Sequence, residues 1–183
     1  YGRMVLTAYA AARIPASGDL ESDAPNLIAS MLTAGLDANA MRWSTIVPER
    51  SEGWALLALA QPQKSAAVTS GGLDSFVGDD GSSGQRKSKF LLAGLYGLGR
   101  IDARTASAVA SRLDVDFTRV SPWSRAIDKA VDVNNPALVA LLAGLGMQGD
   151  GWDKMTPRQL YLIVRSLDRI GLSAEARMIA AEA

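Results

Sequence analysis

The chain contains neither His nor Cys. That removes the commonest general base near neutral pH, the commonest transition-metal ligand, thiol catalysis and Cys-ligated zinc. A Ser-His-Asp triad cannot be assembled from this chain alone. Carboxylate, lysine, tyrosine and hydroxyl chemistry remain. The glutamates are Glu21, Glu49, Glu52, Glu175 and Glu182. Glu49 and Glu52 flank Arg50 in a polar connector after Pro48, and a carboxylate pair is the equipment of glycoside hydrolysis. In such a connector the expected role is a solvated or capping one. Asp74, Asp79 and Asp80 lack the alternating ligand spacing of a calcium loop.

Two glycine clusters invite comparison with phosphate-binding loops. Gly78–Lys87 fails the spacing of a P-loop, and no strand precedes it. Gly94-Leu95-Tyr96-Gly97-Leu98-Gly99 falls late in a helical pattern, where glycines serve close helix packing. These readings predict no catalytic residue, no bound metal and no cofactor.

Binding chemistry is better represented. The 19 basic and 19 acidic side chains cancel over the 183 residues, but not locally. Residues 1–85 hold 5 basic and 9 acidic side chains, a net −4; residues 86–129 hold 9 and 4, a net +5; residues 130–183 hold 5 and 6, a net −1. The basic stretch includes Arg86, Lys87, Lys89 and Arg104. It fits an acidic protein partner, or pairing with the acidic amino-terminal half, or simply a solvated helical face. The zero overall charge disfavours nucleic acid. Trp43, Trp54 and Trp123 have apolar partners at helical spacing and read as core. Trp152 lies in the loop Gly149-Asp150-Gly151-Trp152-Asp153-Lys154, where it plugs a helix pair or anchors a partner. The candidate partner-binding residues are therefore Arg86, Lys87, Lys89, Arg104 and Trp152.

The elements that must position these residues are helical. A stripe of Tyr1, Met4, Val5, Ala8, Tyr9 and Ala12 predicts a first helix. Pro25 begins a helix over 25–34, and Asp37 is the expected cap of another over 38–47. Ser51 caps a third, with Trp54, Leu57 and Ala58 inward. Residues 61–87, with Gln61-Pro62-Gln63-Lys64, Gly71-Gly72 and Gly78–Gly84, read as mobile loop around one short helix near 73–77. Further helices are expected at about 88–98, 103–113, 122–132, 136–146, 157–170 and 174–183. Ser121-Pro122, Asn135-Pro136 and Thr156-Pro157 each set a capping side chain before a first-turn proline. Only 114–117 alternates in the manner of a strand. No apolar run is long enough to span a membrane.

Three joints share one pattern: Gly35-Leu36-Asp37, Gly99-Arg100-Ile101-Asp102 and Gly171-Leu172-Ser173. A left-handed glycine ends one helix, an apolar residue packs back, and Asp or Ser caps the next. Such short links imply antiparallel neighbours. The stretch Leu167-Asp168-Arg169-Ile170-Gly171-Leu172-Ser173-Ala174-Glu175-Ala176 resembles the turn of tetratricopeptide-type helical hairpins. The irregular spacing of the joints and the missing aromatic signature positions depart from that family. The tail is also similar to carboxy-terminal parts of Ala-rich helical proteins of proteobacteria, a likeness that implies no activity. In architecture the pattern resembles the non-catalytic helical arm of lytic transglycosylases.

The expected fold is all-α, with antiparallel helical hairpins in an irregular bundle or a short α-solenoid. Residues 1–77 and 88–183 are two helical parts, joined by a flexible Gly/Ser/Asp loop at 78–87. The helical pattern already running at Tyr1 and still running at Ala183 predicts a domain excised from a longer protein, cytoplasmic or periplasmic. The expected function is non-enzymatic: a scaffold or protein-interaction domain of a larger bacterial protein. The alternative is a helical arm of a cell-wall-acting enzyme, or a carboxylate-based enzyme.

Overall fold

The structure is a computed structural model that describes residues 2–62, 68–149 and 151–183. Tyr1 of the amino-terminal stripe, Gln63 and Lys64 of the polar stretch, and Asp150 of the Trp152 loop lie outside the described residues. The fold is all-α: among the described residues there are eleven α-helices and no strand. The backbone divides into two compact units between Asp80 and Gly81.

The first unit holds α1 (Gly2–Arg13), α2 (Ala24–Thr33), α3 (Asp37–Met41), α4 (Glu52–Ala60) and α5 (Ser70–Asp79). Its core gathers Ala11, Ala24, Ile28, Met31, Ala40, Trp43, Val47 and Leu57. Side-chain oxygens begin α4 and α5: Ser51 Oγ accepts from the Trp54 amide at 3.1 Å, and Thr69 Oγ1 from the Gly72 amide at 3.1 Å. Each satisfies one of the free amides of a first turn.

Several expectations for this unit are revised. The apolar stripe of α1 is divided: Met4, Val5 and Tyr9 are exposed, whereas Ala8 is buried, as is neighbouring Ala11. Small side chains allow α1 to lie close on α2. There, Ser30 Oγ donates to the Met4 carbonyl at 2.6 Å and shares a 2.8 Å hydrogen bond with Thr7. The helix expected over 38–47 is a short α3 followed by a 3-10 turn, Arg42–Thr45. The helix expected near 73–77 is longer, so the stretch 78–87 begins inside α5 and ends inside the next helix.

The second unit holds α6 (Arg86–Gly97), α7 (Ala103–Arg112), α8 (Pro122–Asp132), α9 (Pro136–Gly146), α10 (Pro157–Arg169) and α11 (Ser173–Glu182). Capping boxes open α8 and α10: Ser121 and Ser124, then Thr156 and Gln159, exchange side-chain bonds with each other's amides. The most extensive pairing sets α6 against α10, two helices separated by three others in the chain.

Gly97 permits that pairing. A Cβ there would lie 2.9 Å from Val164 Cγ1 and 3.1 Å from the Tyr161 carbonyl oxygen. A backbone oxygen and a stiff β-branched side chain cannot yield as a flexible tip would.

The glycine joints form as expected at their carboxy-terminal half. Gly35, Gly99 and Gly171 have φ of 72°, 65° and 87°. The amides that follow them reach back to Met31, Leu95 and Leu167, each at 2.9 Å. The capping half differs. Asp102 does cap α7, accepting from the Thr105 amide at 2.7 Å. Asp37 and Ser173 instead sit one residue inside their helices, after Leu36 and Leu172 at the cap positions. Ser173 Oγ donates to Asp168 Oδ1 at 2.6 Å.

Two further joints use the same geometry without glycine. Asp114 and Asn134 have φ of 53° and 49°, and the next amides bond to Ala110 and Ala130 at 2.9 and 3.0 Å. The first of these joints occupies the start of the alternating stretch 114–117, which forms no strand.

These observations set signs for three substitutions, measurable by urea titration. Gly97→Ala should destabilise by about 1–3 kcal/mol, because overpacking outweighs the roughly 1 kcal/mol that alanine contributes in a helix. Gly171→Ala should cost about 1 kcal/mol from its left-handed backbone alone, since its surroundings are open. Asn134→Gly should stabilise by up to about 1 kcal/mol for the same reason. A stabilising Gly97→Ala would contradict the close approach of α6 and α10.

Candidate functional site

The residues of α9 read Pro136-Ala-Leu-Val-Ala-Leu-Leu-Ala-Gly-Leu-Gly146, without one polar side chain. A helix apolar all round belongs in an interior, yet α9 lies on the surface of its unit. With about 100° per residue, Val139 and Ala143 share the inward face and are buried, with Leu142 and Gly146 half-buried beside them. Ala137, Leu141 and Gly144 point outward, flanked by Leu138 and Leu145. Leu141 is 69% exposed, Leu145 51% and Leu138 38%; Val133 in the preceding turn is 62% exposed. Large side chains in this number on one short helix form a contiguous apolar patch of the kind that marks interaction sites.

Three devices hold this face rigid. Asn134 adopts the left-handed backbone that ends α8, and Asn135 Oδ1 accepts from the Leu138 amide at 3.0 Å to start α9. Trp123 of α8 donates its indole N–H to the Leu142 carbonyl at 2.9 Å. Its ring also fills the space where a Cβ on Gly146 would stand, 2.6 Å from the nearest ring atom.

α8 is anchored to α10 on its other flank. Asp128 accepts from Arg165, and Asp132 lies 3.8 Å from Arg169. Arg165 also donates to the Tyr161 hydroxyl at 3.2 Å. Burial opposes its charge, but that hydroxyl and the Asp128 carboxylate outweigh burial and raise its pKa. Tyr161 stacks on Tyr96 of α6 with ring centres 4.7 Å apart, and Phe117 tilts against both. Burial, then the neighbouring Tyr161, pushes the Tyr96 hydroxyl above its ordinary pKa. The brace therefore runs from α6 through α10 to α8, and from α8 through Trp123 to α9.

The outward side of α8 carries charges of both signs, and Asp132 is exposed there. Asp128 is turned towards α10 and engaged there. Arg125 and Lys129, one turn apart, are exposed.

The residues expected to bind a partner are distributed otherwise. Arg86 and Trp152 do come together: the Arg86 guanidinium donates to the Trp152 carbonyl and sits 4.2 Å over the Phe90 ring. Trp152 is half-buried and lines a pocket of about 330 Å³ with Met147, Gln148, Lys154, Met155 and Gln159. Lys87 and Arg104 are exposed and Lys89 half-buried. They stand in the first turns of α6 and α7. Arg100 of the same basic stretch is buried. Desolvation, and then Arg177 beside it, lowers its pKa to about 10, against the opposing pull of Asp168.

Glu49 lines a pocket of about 260 Å³ with Met41, Val47, Trp54, Leu57 and Thr69, while Glu52 lies in the first turn of α4. Asp79 faces Arg50 at 3.7 Å on the surface. Among the described residues no group of three or more carboxylates is placed to hold a metal ion. No helix among them is long and apolar enough to cross a membrane.

Sequence reasoning placed a helix at 136–146 but assigned it no outward role. The available signal was the lack of any polar residue in three turns. The chain matches no family model, no curated protein and no solved structure.

The brace is testable as a coupling. In a double-mutant cycle of Arg165→Met and Asp128→Asn, the interaction energy should be about 1 kcal/mol, typical of a partly exposed pair. Additive losses would show that α8 is held without it.

Proposed function

We propose that this chain is a non-enzymatic helical scaffold that binds another protein through the outward face of α9. The observation carrying this reading is the exposure of Leu138, Leu141 and Leu145 on a helix with no polar side chain. Fully burying one such side chain contributes about 1.5–3 kcal/mol, so leaving three exposed forgoes stabilisation that a partner would recover. The small outward residues Ala137, Ala140 and Gly144 add a shallow surface against which a partner backbone approaches closely. A Cβ at Gly144 would meet nothing within 4 Å.

Photo-crosslinking in a source extract tests the reading. A photoreactive residue at Gly144 should yield specific adducts, and the same residue at exposed Ser107 should not. Leu141→Asp should abolish those adducts while changing stability by no more than about 1 kcal/mol, because the side chain supports no core. Adducts that survive Leu141→Asp, or appear equally at Ser107, would refute an interaction surface on α9.

A further inference from the structure

We propose that the cavity lined by Glu49 and Trp54 binds a small organic ammonium ion, its nitrogen on the Glu49 carboxylate and its apolar body against Trp54. The cavity holds about 260 Å³, and its residues belong to the first unit, apart from α9. Successive pieces of the chain build it. Met41 ends α3, Ser44 follows in the 3-10 turn, Val47 and Glu49 stand in the connector, and Thr69 caps α5. Trp54, Leu57 and Ala58 recur at i, i+3 and i+4, so one face of α4 supplies the remaining wall. Val47 and Leu57 also belong to the core of the unit, which makes that side of the cavity apolar and fixed.

Charge decides what the cavity accepts. Among the described lining residues Glu49 alone is charged, so an anion would meet like charge and a cation its complement. The basic residues nearest Glu49 in the chain are engaged elsewhere: Arg50 faces Asp79 at 3.7 Å, and Arg42 donates to the Ala12 carbonyl at 2.7 Å. Among the described residues the carboxylate receives one hydrogen bond, a long one of 3.5 Å from the Thr69 hydroxyl. Gly72 leaves room beside it. A Cβ there would lie 3.0 Å from Glu49 Oε2, 3.1 Å from Trp54 Cζ2 and 3.2 Å from Thr69 Oγ1. Those three side chains therefore converge on one point, and a cation on Glu49 has the Trp54 ring beside it. The first turn of α5 also favours an anion, which holds the carboxylate in place without filling its remaining acceptor positions. The hydroxyl oxygens of Ser44 and Thr69 can accept further N–H bonds, which suits a primary ammonium with its three donors rather than a quaternary one. The volume lies below the roughly 300–1,000 Å³ of drug-sized sites, so the apolar body is a short chain or a single ring.

The test is a titration of the full chain at neutral pH with phenethylamine, which is protonated there, and with its neutral isostere phenylethyl alcohol. The Trp54 indole N–H and the Met41 methyl resonances are followed by NMR. The amine should shift both saturably and bind at least about fivefold more tightly than the alcohol, with the difference shrinking as salt is raised. Glu49→Gln should lower the amine to the alcohol's affinity and leave the alcohol unaffected, with circular dichroism unchanged because Glu49 is exposed. A carboxylate that served only the first turn of α5 would alter stability and not this preference. Nα-acetyl-lysine methylamide is the third probe. The same shifts with it would assign the ammonium to a lysine side chain as well, and their absence beside a binding amine would assign it to free amines; both uphold the site.

Equal affinity for amine and alcohol, or a preference that survives Glu49→Gln, would overturn the ammonium site. No shift of either resonance with the amine would overturn it too, and neither result bears on α9.

Discussion

The close approach of α6 to α10 at Gly97 is the constraint on which the second unit depends. Only a residue without a Cβ fits between the α6 backbone and Val164 with the Tyr161 carbonyl. With the two backbones that near, Tyr96 and Tyr161 stack at 4.7 Å and Phe117 closes over them. Arg165, one turn beyond Tyr161, then reaches Asp128, which sets α8. α8 carries Trp123, whose indole and ring hold α9. Widening the first contact would loosen each later one, because interiors at crystal-like density have little slack to absorb a shift.

The position of α9 follows from that chain and leaves an imbalance. A helix made wholly of apolar residues is supported on one side only, by Val139 and Ala143. Its cap, its turn and its anchoring tryptophan are all satisfied, so the exposed face is not a consequence of a poorly formed element. The structure spends good local chemistry on presenting leucines to solvent, which is the physical basis of the docking proposal.

Electrostatics in this unit follow a similar division of labour. A basic stretch need not be a basic surface. Arg86 is consumed by the Trp152 carbonyl and the Phe90 ring, and Arg100 is buried near Arg177 and Asp168. Arg165 and Arg169 engage the aspartates of α8. On α8, Arg125 and Lys129 reach solvent, as does Asp132. Arginine suits the inward tasks because its planar fork satisfies several acceptors at once and keeps its charge when partly buried.

Local chemistry made much of this fold legible. Ser121-Pro122, Asn135-Pro136 and Thr156-Pro157 marked helix starts because a cap and a fixed φ act within one turn. Gly35, Gly99 and Gly171 marked ends because a left-handed residue has few alternatives. Asp114 and Asn134 do the same task, but Asp and Asn serve many other turn roles, so residue type alone could not single them out. Composition also settled that no thiol or imidazole chemistry is open to the chain itself. Periodicity, however, orients a side chain only about its own helix axis. Which face of α1 would be covered, that α6 would meet α10 across three intervening helices, and that Leu141 would stand in solvent while Val139 stands in the core depend on contacts between residues far apart in the chain. Such contacts are selected by fit and loop closure, and only the tertiary structure decides them.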